Sequence, residues 1–100
     1  MSVGTVTKQP SEELNSSVDF VDIMPGGDTL TLVSVTAVKG SASSTASVLA
    51  TTPAPAVAGT KVTFRVVDGT DGERHKITVK VSSSSGEKYE ADVDLLIVDQ

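Results

Sequence analysis

The chain has 100 residues, 38% of them hydrophobic and only 3% aromatic, so one modest core is to be filled by Val, Leu, Ile and Ala. Eight basic against 13 acidic residues leave a formal net charge of -5, without the concentrated basic patch that a nucleic-acid partner requires. There is no cysteine, which excludes disulfides, thiolate metal sites and cysteine nucleophiles.

The opening MSVGTVTKQP has no apolar leader region, and no run is long enough to span a bilayer. The expectation is a chain made in the cytoplasm with no membrane partner. Residues 3–8 are β-prone and stop before Pro10, which cannot donate to a ladder and suits an edge strand or its exit. Residues 11–17 read as a loop: the helix-like start at Ser11 is cut off within a turn by Asn15, Ser16 and Ser17. Residues 17–22 alternate, with Val18 and Phe20 on one face and Asp19 and Val21 on the other. Met24, Pro25, Gly26 and Gly27 then make a strong turn signal, because proline presets φ and glycine accepts positive φ.

Residues 28–39 read as one long strand. Its apolar set starts as Leu30 and Leu32 and shifts parity to Val33, Val35 and Ala37. Such a shift predicts a β-bulge, or else cover on both faces. Between residues 40 and 59 the chain is small, polar and Pro/Ala-rich, so packing falls to Val48, Leu49 and Ala50. One short strand is expected at residues 45–51, followed by turns.

Residues 60–98 carry the clearest pattern. Val62, Phe64 and Val66 alternate with Thr63 and Arg65; Ile77, Val79 and Val81 alternate with Lys76, Thr78 and Lys80; Tyr89, Ala91, Val93, Leu95 and Ile97 alternate with Glu90, Asp92 and Asp94. This period of two, broken by DGTDG and SSSSG, predicts a meander of antiparallel strands. Taken whole, residues 1–100 read as one all-β domain, an immunoglobulin-like antiparallel β-sandwich of about seven strands.

No residue constellation points to catalysis. His75 is the only histidine, lacks partners for acid–base work or metal binding, and is in phase with Ile77, which places its polar tip at the rim of the sandwich. The acidic loop 68–73 invites a calcium reading but lacks the spacing of a dedicated cation loop, and Asp-Gly pairs are ordinary hairpin chemistry. Asp19, Asp22 and Asp28 flank a turn, and three aromatics are too few for a sugar-binding cleft. The expectation is a protein that is not an enzyme and takes no cofactor or metal. More informative are Leu96 and Val98, which fall on the outward face of the last strand opposite Leu95 and Ile97. Two readings stand: that strand is covered by the N-terminal segment around Val3 and Val6, or it contacts another subunit. Val21 and Ile23 pose the same alternative.

The order of these pieces resembles a family of small immunoglobulin-like virion proteins of tailed bacteriophages. The matching motifs are Lys8-Gln-Pro10-Ser-Glu12 with Leu14, Val18-Asp19-Phe20, Gly27-Asp28-Thr29-Leu30-Thr31, Gly69-Thr70-Asp71-Gly72 with Ile77, and the serine run ending at Gly86. Two positions depart from the pattern: His75 stands where the family usually has a tyrosine, and Val35 where a tryptophan is common.

The resemblance implies a structural protein of the virion, made in the host cytoplasm. Its most direct form is a capsid decoration (cement) protein on the outer head lattice, bound to the major capsid protein. A head–tail or tail accessory bound to other virion proteins is the companion form. A homo-oligomer, with a trimer natural at lattice threefold points, would let multivalency compensate for weak single contacts. The alternative is an Ig-like binding module for a host-surface receptor or glycan, against which the scarcity of aromatics counts.

Overall fold

Among the described residues, alternating Val, Leu and Ile runs produce eight strands in two layers. The computed structural model describes residues 2–20, 27, 29–40, 42–43, 48–50 and 54–98. The strands are β1 Ser2–Lys8, β2 Leu14–Asp19, β3 Leu30–Lys39, β4 Ala42–Ser43, β5 Ala56–Ala58, β6 Lys61–Val66, β7 Arg74–Ser83 and β8 Lys88–Ile97. One sheet has the order β1-β8-β7-β3-β4 and the other β2-β6-β5.

Between the sheets lies one core, contributed by inward residues of both: Val18, Val62, Phe64 and Val66 from one side, Ile77, Val79, Val93, Leu95 and Ile97 from the other. Val48 and Leu49 are buried in it as expected, and each buried branched side chain stabilises the fold by about 1.5–3 kcal/mol. Phe20 stacks on Tyr89 with ring centroids 6.5 Å apart, closing the end of the core at which β2 finishes and β8 begins.

The parity shift in β3 is a bulge. Leu32 pairs with Val81 and Ser34 with Lys80, so Val33 is the extra residue. It is 57% exposed, while Val35 and Ala37 take over the inward role.

Four expectations change. First, β6, β7 and β8 are not one meander: only β7 and β8 form a hairpin, and β6 pairs with β2 and β5 in the opposite sheet. Residues 67–73 cross from one layer to the other. Second, the sandwich is not wholly antiparallel, because β1 runs parallel to β8, with Val6 beside Leu95 and Lys8 beside Ile97. The N-terminal strand therefore extends the sheet edge and does not cover the outer face of β8. Third, β2 begins at Leu14, where a loop was expected. Asn15, Ser16 and Ser17 are strand residues because Leu14, Ser16 and Val18 share the inward face. Fourth, the strand expected at residues 45–51 lies partly outside the described residues, and within them Leu49 makes a single bridge to Val66. β5 instead occupies a stretch that read as turn.

Candidate interaction surface

At the end of the sandwich where β1 and β8 finish, three segments meet around a buried lysine. Lys8 is in phase with Val6, so its side chain enters the interior, and it is only 1% exposed. Its Nζ donates to the carbonyls of Gln9 (2.7 Å) and Pro10 (3.2 Å) and to the carbonyl of Asp68. Burial pushes the Lys8 ammonium below its usual pKa, opposed by the nearby charges of Asp68, Glu12 and Glu13. Glu12 Oε1 accepts the Gln9 N–H at 2.6 Å. The spacing of Lys8, Pro10 and Glu12 is thus explained by geometry: the lysine satisfies the turn carbonyls and the glutamate satisfies its first amide.

The crossover 67–73 is bound to the same point. Asp68 has φ +51° and Gly69 φ +91°, a reversal that aims the Asp68 carbonyl at Lys8. Gly72 N–H donates to Ile97 O (2.8 Å), Ile97 N–H to Glu73 O (3.0 Å) and Val98 N–H to Lys8 O (2.9 Å).

Glu73 completes the corner. Its carboxylate accepts from Lys39 Nζ at 2.7 Å and from the Thr70 N–H at 2.8 Å, and lies 3.2 Å from His75 Nε2. The Lys39 hydrogen bond, helped by Thr70 and His75, lowers the Glu73 pKa to about 2. His75 is buried with its ring nitrogen at the rim, as its phase predicts. Because the folded-state carboxyl is depressed from 4.5, its contribution to stability is present above that pH and is lost as pH falls through about 2. Wild type is expected to exceed Glu73→Gln in urea midpoint at neutral pH, with the gap closing as pH approaches 2. A gap that persists unchanged into acid would contradict this account.

The outer face of the five-stranded sheet is a ladder of opposite charges. Lys76 Nζ lies 3.3 Å from Asp92 and Lys80 Nζ 4.0 Å from Glu90, while Thr78 Oγ1 donates to Asp92 Oδ1 at 2.9 Å. Desolvation raises the Asp92 pKa, but the Thr78 and Lys76 hydrogen bonds outweigh it and the net direction is downward. The Lys80–Glu90 pair is exposed on both sides and stabilises by about 0–1 kcal/mol, whereas Asp92 is largely buried between its Thr78 and Lys76 partners.

Leu96 stands on that face, half-buried in register between Thr7 and Arg74. Val98 follows at the strand end and is 40% exposed. The structure therefore brings Leu96 and Val98 to the corner that Lys8 organises. Val21 and Ile23, with Asp22 and Asp28, lie outside the described residues. Asp19 Oδ1 accepts the Thr60 hydroxyl at 2.8 Å. In loop 68–73 the Asp68 carbonyl and the Glu73 carboxylate are engaged within the protein. On the opposite sheet, a shallow groove of about 370 Å³ is lined by Asn15, Ser16, Ser17, Ala54, Thr63 and Phe64.

These features describe a two-layer β-body whose outer faces are largely polar, with Val33 and Val98 exposed. The family model for the podophage GP4 fiber-tail adaptor protein gp77 matches residues 8–96. The chain belongs to this family. It is therefore a structural component of a phage virion, of the tail-accessory kind. Of the two forms implied by the resemblance, tail accessory agrees with this family, whereas decoration of the head lattice gains no support from it. No curated protein matches the chain significantly. The fiber-tail adaptor match begins at Lys8, the residue that pins the corner, and ends at Leu96.

In the sequence Lys8 stands only as the first residue of a family motif and Glu73 as the end of an acidic loop; their structural roles, as donor to three carbonyls and as acceptor from Lys39 and Thr70, are seen only in the fold. The phase of Lys8 with Val6, just before a proline turn, was the available signal.

Proposed function

We propose that the chain is a non-catalytic adaptor joining a fibre to the tail of a podophage virion. The family match across residues 8–96 carries this reading. Supporting it, the corner that ties β1, β8 and loop 67–73 together makes a stiff block, which suits a part that transmits load between two larger bodies. An immunoglobulin-like arrangement goes with the proposal: β2, β6 and β5 share one sheet and β3, β7 and β8 the other, the distribution of strands B, E, D and C, F, G in that sandwich. The adaptor's partners are then the fibre and a tail protein. Leu96 and Val98 contribute an apolar contact at one end, and repeated copies add avidity.

Virions produced without this chain are expected to have complete heads and tails but no fibres by electron microscopy, with fibres returning when purified chain is added. Fibres that stay attached in its absence would overturn the proposal.

A further inference from the structure

Among the described residues, the edge strands of the two sheets differ in how they are protected. β1 has a register irregularity between Ser2 and Gly4 and turns the charged Lys8 inward. β4 is two residues long; β3, beyond the reach of β4, is broken by the bulge at Val33. β5 is three residues long and follows Pro55. Each is a known device against edge-to-edge pairing. β2 has none of them: six residues, Leu-Asn-Ser-Ser-Val-Asp, in unbroken register with β6, without proline or lysine. Among the described residues no strand lies beyond it.

The backbone groups at this edge can be identified. Phe20 N–H donates to Thr60 O, so the hydrogen-bonded pairs with β6 are Leu14–Val66, Ser16–Phe64 and Val18–Val62. The bonds from Ala50 to the Arg65 carbonyl and from Val67 to the Val48 carbonyl give the same parity. The N–H and C=O of Asn15 and Ser17 therefore face away from β6, beside the serine-lined groove.

We infer that β2 is a docking edge, and that its occupant is an extended segment of another virion protein with Lys or Arg near its ends, added as a fourth strand to β2-β6-β5. This rests on the adaptor reading. Free backbone donors and acceptors call for a strand. Glu13, its side chain 56% exposed and paired with Arg65 only at 3.5 Å, and Asp19, which accepts the Thr60 hydroxyl and stays exposed, bracket the edge with carboxylates. A second copy of β2 paired antiparallel would set Glu13 close to Asp19 of its partner, and like charges opposite one another disfavour pairing. Small Ser16, Ser17 and Asn15 leave the groove free for the side chains of the incoming strand.

The test is residue-resolved hydrogen exchange of the chain, free and rebound to virions produced without it. Exchange at Asn15 and Ser17 is expected to slow by about tenfold or more on binding, while Ser16 and Val18, already bonded to β6, change little. Ser17→Pro removes an edge-facing N–H and no ladder bond, and is expected to weaken rebinding by at least roughly tenfold where Ser17→Ala does not. Should Ser17→Pro fail to fold, the exchange result on the unaltered chain decides. Rebinding with Asn15 and Ser17 exchanging as fast as in the free chain, or unimpaired rebinding by folded Ser17→Pro, sinks the docking edge and leaves the adaptor standing. Failure of the unaltered chain to rebind counts against the adaptor reading itself.

Discussion

Gly69→Ala is expected to destabilise the fold by roughly 2–5 kcal/mol, combining left-handed backbone strain with overpacking. At φ +91°, an alanine Cβ would sit inside the van der Waals shell of Ile97 Cδ1 and 3.2 Å from its Cγ1. Ile97 is fully buried in the core, so its side chain cannot simply swing aside. A loss of that size is a large fraction of the 5–15 kcal/mol that holds a typical domain together. Urea unfolding of the single and double variants separates the two causes. Ile97→Val removes Cδ1 at a cost of about 0.5–1.5 kcal/mol by itself. Combined with Gly69→Ala, it is expected to cost less than the sum, because the clash goes while the backbone strain stays. Strict additivity would show that the contact with Ile97 is not responsible.

Lys8→Met is expected to cost about 2–4 kcal/mol, because it leaves the carbonyls of Gln9, Pro10 and Asp68 without their shared donor. Methionine keeps much of the volume, so a loss measured by urea midpoint reports the ammonium and not a cavity. A buried charge can also be a liability that a hydrophobic residue relieves. A neutral or stabilising Lys8→Met would put Lys8 in that class and remove it as the pin of the corner.

The extent to which the sequence foretold this structure follows from what a period of two encodes. Alternation shows which side of a strand is buried, and it placed Val62, Phe64, Ile77, Val79, Leu95 and Ile97 in the core. The parity shift from Leu32 to Val35 located the bulge for the same reason. Alternation does not say which sheet a strand joins, since both sheets bury the same kind of face. Hence β6 read as a neighbour of β7 when it lies across the core. Parallel pairing of β1 with β8 has no local signature either: it depends on where residues 9–13 turn the chain.

Lys8 was hidden because a lysine at an inward phase is rare, and its satisfaction comes from carbonyls as distant in sequence as Asp68. For the interaction surface, Leu96 and Val98 were legible as apolar residues on a polar face. The β2 edge was not, because Asn15, Ser16 and Ser17 are turn-favouring residues that become strand only through pairing with β6.

These pieces describe a small block stiffened at one end by Lys8, Glu73 and the crossover, and open along one strand. A fiber-tail adaptor has to meet two bodies, and the corner with Leu96 and Val98 and the β2 edge, which belong to different sheets, are the two surfaces we propose for them. The measurement that bears most directly on the adaptor role is a high-resolution reconstruction of the virion. The account predicts density for a two-layer β-body of about 42 × 25 × 20 Å between fibre and tail. Density that fits this chain only on the head lattice, with fibre and tail joined directly, would contradict it.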